Sequence, residues 1–423
     1  MEYTASGPSS GSASVSSVRR ALSVTGKFAA MAAATEIPFC IVMSNGSVIR
    51  GHPEDLPAFT LTFRTRAAER RVLFFGYVGL LESYFDGSVD IDGNLALAFR
   101  AGYESGFDLG QTPLVRLRSL WFEHRHSNRS LAHAKANARL HYGRGREFYR
   151  PWLDHPSMMY TCAYWKEGTK TLEEAQRNKM EHVCRKVQLK AGDTFVDVGS
   201  GWGGLLFHAW EHYGALGTGV NTTTEQVNET RSEIERRGLA DRIRVIECDF
   251  REIPGQYDKL LSIGTLEHAG PNQLPQVVRA HANTLKPGGL GVIHFIGHVG
   301  ERDTEYFIRR YIFPGGWIPS LSTAIDWMER CGLEILDVEN LRRHYALTLD
   351  AWAERFDRNW EAIHSLDPRR FDERSRRIWR TYLWSCAEAF RTKTPQLNLF
   401  QVTVSKNSVG ARYPMSRSFL YDK

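Results

Sequence analysis

The stretch Val196-Asp197-Val198-Gly199-Ser200-Gly201-Trp202-Gly203-Gly204 joins an acidic residue to closely spaced glycines, where an apolar strand pattern gives way to a helical pattern beginning at Leu205. Glycine has no Cβ, so such a turn can adopt positive φ and let a ligand lie on bare backbone, facing the amides of a helix N-terminus. The spacing Gly199-x-Gly201-x-Gly203 is one residue tighter than the dinucleotide fingerprint, and no Walker lysine follows it. Phosphate binding is therefore disfavoured, and Asp197 at the strand end suits a cationic ligand. On spacing alone, an ordinary strand-to-helix turn is an equal alternative.

The surrounding elements must hold that turn. Strand patterns at Thr194 to Val198, Gly217 to Asn221, Ile243 to Cys248, Lys259 to Ile263 and Leu290 to Ile296 alternate with helical ones. This predicts an α/β fold with a doubly wound, mostly parallel sheet, whose ligands sit beyond the carboxyl ends of the strands. Thr171-Leu172-Glu173-Glu174 reads as a capping box, and Leu172, Ala175, Met180, Val183, Cys184 and Val187 continue at helical spacing, which places Cys184 in the core. Residues 1–34, rich in Ser, Gly and Ala, read as a flexible tail with room for a short helix around Val18 to Ala33. Residues 35–130 read as a smaller N-terminal α/β domain, with strands at Phe39 to Met43 and Phe59 to Phe63, followed by a basic, aromatic linker from Leu114 to Arg129. Residues 131–423 make the expected catalytic domain.

The chain has 423 residues, of which 42% are hydrophobic, enough for more than one core. Its six cysteines are scattered, without C-x-x-C pairs or metal spacing, which predicts a reduced cytoplasmic protein with no metal site. No apolar run approaches the roughly 20 residues needed to span a bilayer. The formal net charge is +6, with arginines clustered at Arg64, Arg66, Arg70 and Arg71 and again at Arg369, Arg370, Arg374, Arg376, Arg377 and Arg380. Such clusters suit an anionic membrane surface or nucleic acid, with a solvated helix face as the plain alternative. Trp121 and Phe122, set among Arg116, Arg118, His124, Arg125 and His126, could rest on a membrane interface or pack as a linker helix.

Two further stretches, Pro156-Ser157-Met158-Met159-Tyr160-Thr161-Cys162-Ala163-Tyr164-Trp165 and Ile263-Gly264-Thr265-Leu266-Glu267-His268-Ala269-Gly270, flank the glycine turn in sequence. Together with it they closely resemble the cyclopropane fatty acid synthases and the related mycolic acid cyclopropane synthases, S-adenosylmethionine-dependent methyltransferases. The resemblance covers roughly Leu131 to Lys406; the first domain more loosely resembles the lipid-side domain of phospholipid-acting members. It implies a class I, Rossmann-like methyltransferase fold and S-adenosyl-L-methionine as cofactor. The cofactor contacts it implies are Tyr160, Thr161, Asp197, Gly199, Gly201, Gly203, Asn221, Thr222, Gln226, Cys248, Asp249 and the strand end at Ile263. It further implies a bicarbonate held by Cys162, Glu267, His294, the backbone of Ile296, and Tyr345. Without the resemblance, Cys162, His294 and Tyr345 would read as core, Gln226 as half of a capping box with Thr223, and Asp249 as a turn cap.

The sequence also departs from the family pattern: the stretch H-Y-D-x-G-N reads His141-Tyr142-Gly143-Arg144-Gly145-Arg146, losing an acid and an amide and adding two arginines. The activity implied is transfer of a methylene to the double bond of unsaturated phospholipid acyl chains through a carbocation. Such a site must be dry, must hold a base near the new methyl group, and needs an apolar tunnel, because each methylene left wet costs about 0.8 kcal/mol. Phe313, Trp317, Ile318 and Trp352 are candidates for the tunnel wall. Glu267 acting directly is the alternative base. The alternative activity is a fatty-acyl C-methyltransferase giving methyl- or methylene-branched chains, and a lipid-binding module with an inactive catalytic part is a third. A nucleic-acid methyltransferase is disfavoured, since neither a catalytic proline-cysteine motif nor N-P-P-Y is present. The expected location is the inner face of the membrane, by peripheral attachment; a homodimer is compatible with the sequence.

Overall fold

A computed structural model describes residues 23–421 except 108–111, 129–132, 134–135, 138–140, 393–396 and 412. The first 22 residues of the expected tail, and Arg129 at the end of the expected linker, lie outside the described residues. The chain forms two compact units that divide between Arg116 and Leu117.

The first unit opens with helix α1 (Val24–Ala34), capped by Ser23, whose hydroxyl accepts from the Gly26 N–H at 3.0 Å. This is the short helix expected around Val18 to Ala33, packed on a sheet, so residues 24–34 are not part of a flexible tail. Phe28 and Met31 stand on one face of an otherwise alanine-rich segment, and with Val24 they pack onto Phe39, Ile41, Phe59, Leu61 and Phe63. Those residues belong to strands β1 (Phe39–Val42) and β3 (Phe59–Phe63), in a four-stranded sheet completed by β2 (Val48–Gly51) and β4 (Val89–Gly93) in the order β2-β1-β3-β4. Helices α2 (Arg66–Phe85) and α3 (Leu95–Glu104) complete this unit.

Helix α4 (Pro113–His126) follows. Phe122 turns inward, 4.2 Å from the His126 ring and edge-on to Tyr306, whereas Trp121 stays exposed. Of the two aromatics considered for a membrane interface, only Trp121 is free to meet one.

The second unit is built on seven strands: β5 (Thr194–Val198), β6 (Leu216–Asn221), β7 (Ile243–Glu247), β8 (Tyr257–Ile263), β9 (Leu285–Gly297), β10 (Leu333–Asn340) and β11 (Asn398–Lys406), ordered β10-β11-β9-β8-β5-β6-β7. All five expected strands are present and mutually parallel. β11 lies between β9 and β10, antiparallel to both, so the last strand of the chain is inserted next to the edge strand β10 and leaves the sheet mostly parallel. Besides a single turn at Arg146–Tyr149, the helices that follow are α5 (Leu172–Lys186), α6 (Gly204–Tyr213), α7 (Thr224–Arg236), α8 (Leu274–Thr284), α9 (Leu321–Arg330), α10 (Arg342–Arg358), α11 (Trp360–Leu366) and α12 (Glu373–Arg391). Covered on both faces, β5 buries Phe195, Val196 and Val198 completely, as parallel strands do. The Thr171–Glu174 capping box starts α5, and Cys184 is fully buried there.

From β5 the chain winds through β6 to β7, then returns to the other side of β5 and winds through β8 to β9. The reversal lies between β5 and β8, and it leaves a crevice at their carboxyl ends. The glycine turn after β5 and the Gly264–Glu267 turn after β8 both open there.

Candidate active site

The glycine turn takes the backbone its sequence required: Gly199, Gly201 and Gly203 have φ of 79°, 53° and 81°. A Cβ on Gly201 would meet nothing within 4 Å, which leaves bare backbone facing open space. A cavity lies against it, lined by Asp197, Gly199, Gly201, Asn221, Thr222, Gln226, Cys248, Asp249 and Ile263, and by Tyr160, Thr161 and Cys162 from the segment before α5. Glu267, His294, Ile296 and Tyr345 line the same cavity. Gly203 is the exception among the expected residues, for it does not line the cavity. It starts α6 in tight packing, where a Cβ would lie 2.7 Å from the Thr230 methyl.

Two side chains of the crevice hold the backbone rather than pointing free. Asn221 donates to the Gly201 carbonyl at 3.3 Å and to Gln226 Oε1 at 2.9 Å, and its Oδ1 accepts from the Thr223 N–H at 3.0 Å. Gln226 is thus tied to Asn221, and α7 begins without a side-chain cap from Thr223. Asp249 accepts from the Arg251 guanidinium at 2.6 and 2.8 Å and from the Arg251 N–H at 2.9 Å. Burial pushes the neighbouring Cys248 thiol up to about 11.

The Met159–Cys162 segment is clamped from α5 by two fully buried polar residues that the sequence reading missed. Gln176 donates to the carbonyls of Met159 (3.2 Å) and Thr161 (2.8 Å), and Lys179 donates to the Thr161 hydroxyl at 2.8 Å. Asp154 adds a bond from the Met159 N–H at 2.8 Å. Burial drives the Lys179 ammonium down to about 8 and the Asp197 carboxyl up to about 7, each opposing the other's shift.

The same cavity is also lined by groups able to act as acid or base. Glu267, in the turn after β8, accepts the Ile296 N–H on Oε1 at 2.7 Å; its Oε2 is buried with no hydrogen-bond partner among the described residues. Burial raises its carboxyl to about 7. His294 stands on β9 opposite Ile263, and Gln401 on β11 places Nε2 at 3.0 Å from His294 Nδ1. With the amide donating, Nδ1 accepts and the ring proton sits on Nε2; burial lowers the imidazole to about 3, so it stays neutral. The Cys162 thiol, fully buried, donates to the Ala163 carbonyl at 3.2 Å, and burial raises both it and the Tyr345 phenol. Neither group is ionised near neutral pH, and Cys162 is no thiolate nucleophile. His268, lowered to about 4 by burial, lies 3.1 Å from the Tyr142 hydroxyl on the same cavity wall.

Phe313, Trp317 and Ile318 line the cavity as expected of a tunnel wall. Trp352 does not: it is fully buried with its ring 5.2 Å from Tyr160 and 5.9 Å from Trp152, behind the lining. The cavity thus combines apolar lining with a neutral thiol, phenol and imidazole, and with the Glu267 carboxyl, one oxygen of which has no partner among the described residues. Such a lining suits an apolar ligand held beside a few neutral polar groups.

A doubly wound sheet with this loop and acid define a class I S-adenosylmethionine-dependent methyltransferase. Residues 129–402 match the family described as mycolic acid cyclopropane synthetase, and the chain belongs to that family. It is 35% identical over 353 residues to a probable fatty acid methyltransferase of Pseudomonas putida, covering 80% of this chain and 85% of that one. It is 33% identical over 342 residues to the cyclopropane-fatty-acyl-phospholipid synthase of Escherichia coli strain K12, again covering 80% and 85%. The mycolic acid cyclopropane synthase CmaA1, solved in complex with SAH and CTAB, superposes with a TM-score of 0.60 at 29% identity, over 64% of this chain and 98% of that one.

Proposed function

We propose that this protein is a cyclopropane fatty acid synthase, transferring a methylene from S-adenosylmethionine to the double bond of unsaturated phospholipid acyl chains. The observation that carries the reading is the unpartnered Glu267 Oε2 in the apolar cavity that also holds the glycine loop. S-adenosylmethionine supplies an electrophilic sulfonium methyl group. The protein's own part is positioning, worth about 7 to 11 kcal/mol for well-oriented partners, and the exclusion of water from a cationic chain.

Closing a three-membered ring requires loss of a proton from the new methyl group. Bicarbonate supplies a proton acceptor when bound, and the residues fit one. Glu267 Oε2 is free to accept its hydroxyl, His294 Nε2–H to donate, and the neutral Cys162 and Tyr345 line the same cavity. Ile296 offers only its carbonyl, since its N–H is taken by Glu267. Assay in carbonate-free buffer, then with bicarbonate restored, tests this: the rate should fall and recover. A rate indifferent to bicarbonate, with Glu267→Gln inactive, would make Glu267 the base.

The Pseudomonas relative, a probable fatty acid methyltransferase by name, supports a second reading, a fatty-acyl C-methyltransferase. Mass spectrometry and proton NMR of lipids from cells with and without the protein separate the two, because a saturated methyl branch is two hydrogens heavier than a cyclopropane, and an isomeric methylene branch shows vinylic rather than cyclopropane protons. Peripheral attachment to the inner face of the membrane belongs to this proposal. Leu117, Leu120 and Trp121 are exposed on α4, with Arg125 4.9 Å over the Trp121 ring, and no helix among the described residues is long and apolar enough to cross a membrane. The arginine clusters contribute less than their number suggests, since Arg64, Arg71, Arg376, Arg377 and Arg380 are paired with Asp90, Asp86, Glu373 and Asp357.

A further inference from the structure

The arginines that interrupt the His141–Arg146 stretch are not all surface ornaments. Arg146 lies 3.9 Å from Glu229, but Arg144 folds back over aromatic rings, its guanidinium carbon 5.6 Å from the Phe148 centroid and 5.0 Å from that of Trp379. Its Nε is buried with no hydrogen-bond partner among the described residues. Phe148 in turn stacks on Phe371 (5.1 Å, 20° between planes), and Arg370 lies 5.4 Å over Phe371. Arg370 also donates to the Gly143 carbonyl at 3.0 Å, one residue from Arg144. Two guanidiniums are thus held on one aromatic stack and one backbone loop, and among the described residues neither makes an ion pair with a carboxylate.

Ring faces hold a cation in place without neutralising it, so the pair keeps its full positive charge. Burial, and to a lesser degree the Arg370 charge, work against the Arg144 cation and lower its pKa, an unfavourable arrangement that a bound anion would relieve. A guanidinium presents a planar fork that matches phosphate oxygens, and two forks can grip one phosphodiester. The place is next to the cavity: Tyr142, two residues before Arg144, lines it, and Trp379 beneath Arg144 packs 5.7 Å from Tyr382, another lining residue.

We propose that Arg144 and Arg370 form an oxyanion site that grips the headgroup phosphodiester of the lipid whose acyl chain enters the cavity. The site rests on the reading of a lipid substrate given above and names the part of the lipid that is recognised.

The full-length protein is assayed with labelled S-adenosylmethionine in neutral-detergent micelles carrying unsaturated phosphatidylglycerol, diacylglycerol with the same chains, or the free fatty acid. Wild type should favour the phospholipid over the diacylglycerol about tenfold or more in kcat/KM. Arg144→Gln with Arg370→Gln should erase that preference by raising KM for the phospholipid alone, with cofactor affinity unchanged, and Arg144→Lys should keep part of it. A preference equal in wild type and double variant overturns the site, as does a preference for the free fatty acid that the double variant loses, which would make the ligand a carboxylate. Inorganic phosphate should inhibit phospholipid turnover in wild type only; inhibition without any lipid preference would assign a free-phosphate site and overturn the headgroup assignment. Should no lipid accept a methyl group, the functional reading fails by itself. Calorimetry with glycerophosphate then decides the anion site: binding lost in the double variant supports it, and no binding to wild type overturns it.

Discussion

The Glu267 carboxylate receives the Ile296 N–H on one oxygen at 2.7 Å and keeps the other buried, with no partner among the described residues. One bond to β9 fixes its direction, and the second oxygen is left for whatever the cavity admits. Burial disfavours the ionised form and outweighs the backbone hydrogen bonds that favour it, which is why its pKa climbs to about 7.

Glu267→Gln keeps the shape and the Ile296 bond through its amide oxygen but removes the charge. Turnover should fall about a hundredfold or more, while S-adenosylmethionine affinity measured by calorimetry stays within about twofold. Stability gives an independent readout. Because the folded pKa is raised, Glu267 favours the folded state below its unfolded value of 4.5, and that contribution is lost as pH rises through about 7. At pH 8 the glutamine variant should therefore melt higher than wild type, by up to about 3 kcal/mol. The difference should shrink to nothing by about pH 4.5; a gain that persists there would show that the carboxyl does not titrate as argued.

Gly201 and Gly203 lie two residues apart and should fail differently. Gly201→Ala points a methyl into open space where a cofactor would lie, at a modest strain of about 1 kcal/mol for positive φ. It should fold, with cofactor affinity down at least about tenfold. Gly203→Ala drives a Cβ to 2.7 Å from Thr230 and 3.1 Å from the Phe207 ring, so the loss should appear in the melting temperature. Equal cofactor loss in two equally stable variants would contradict this division.

Gln401 acts through His294. Gln401→Leu leaves Nδ1 without its donor and lets the ring proton move off Nε2, so kcat should fall about tenfold with cofactor affinity unchanged. A kcat equal to that of wild type would show that the tautomer does not matter.

Vesicle sedimentation tests the exposed face of α4. Leu117→Ser with Trp121→Ser should weaken binding to anionic vesicles several-fold. Added salt should weaken wild-type binding, because exposed charges are screened within about 10 Å at 0.1 M. Binding indifferent to both changes would place the attachment elsewhere.

What the sequence made legible was local. Gly199, Gly201 and Gly203 announce a backbone only glycine adopts readily, and five β-rich runs separated by helical periods announce a doubly wound sheet. Residues that reach the site from afar left no such mark. Gln401 sits in a strand whose Gln401, Thr403 and Ser405 are all buried, so nothing in its pattern separates a histidine partner from an ordinary interior polar residue. Lys179 and Gln176 look like the solvent face of an amphipathic helix and are instead its buried clamp. The short helix near Val18 to Ala33 was legible as α1, but its packing was not, because burial there depends mainly on Phe28 and Met31 meeting a sheet that begins several residues later.

Lys179 is fully buried, donates to Thr161, and is the charge that opposes the upward shift of Asp197. Asp197 attracts a sulfonium cation only when ionised, so wild-type affinity for S-adenosylmethionine should rise with pH through about 7. Loss of the Lys179 proton near 8 removes a repulsion and acts in the same direction. Lys179→Met takes away the group that holds the Asp197 carboxyl down, so the midpoint of that rise should move to higher pH. S-adenosylhomocysteine carries no sulfonium charge, so its affinity should depend on pH far less in both proteins. Calorimetry from pH 6 to 9 with both ligands reads this directly, with circular dichroism checking that the variant is folded. A midpoint that stays in place, or equal pH dependence for the two ligands, would show that Lys179 holds the Thr161 segment without tuning Asp197.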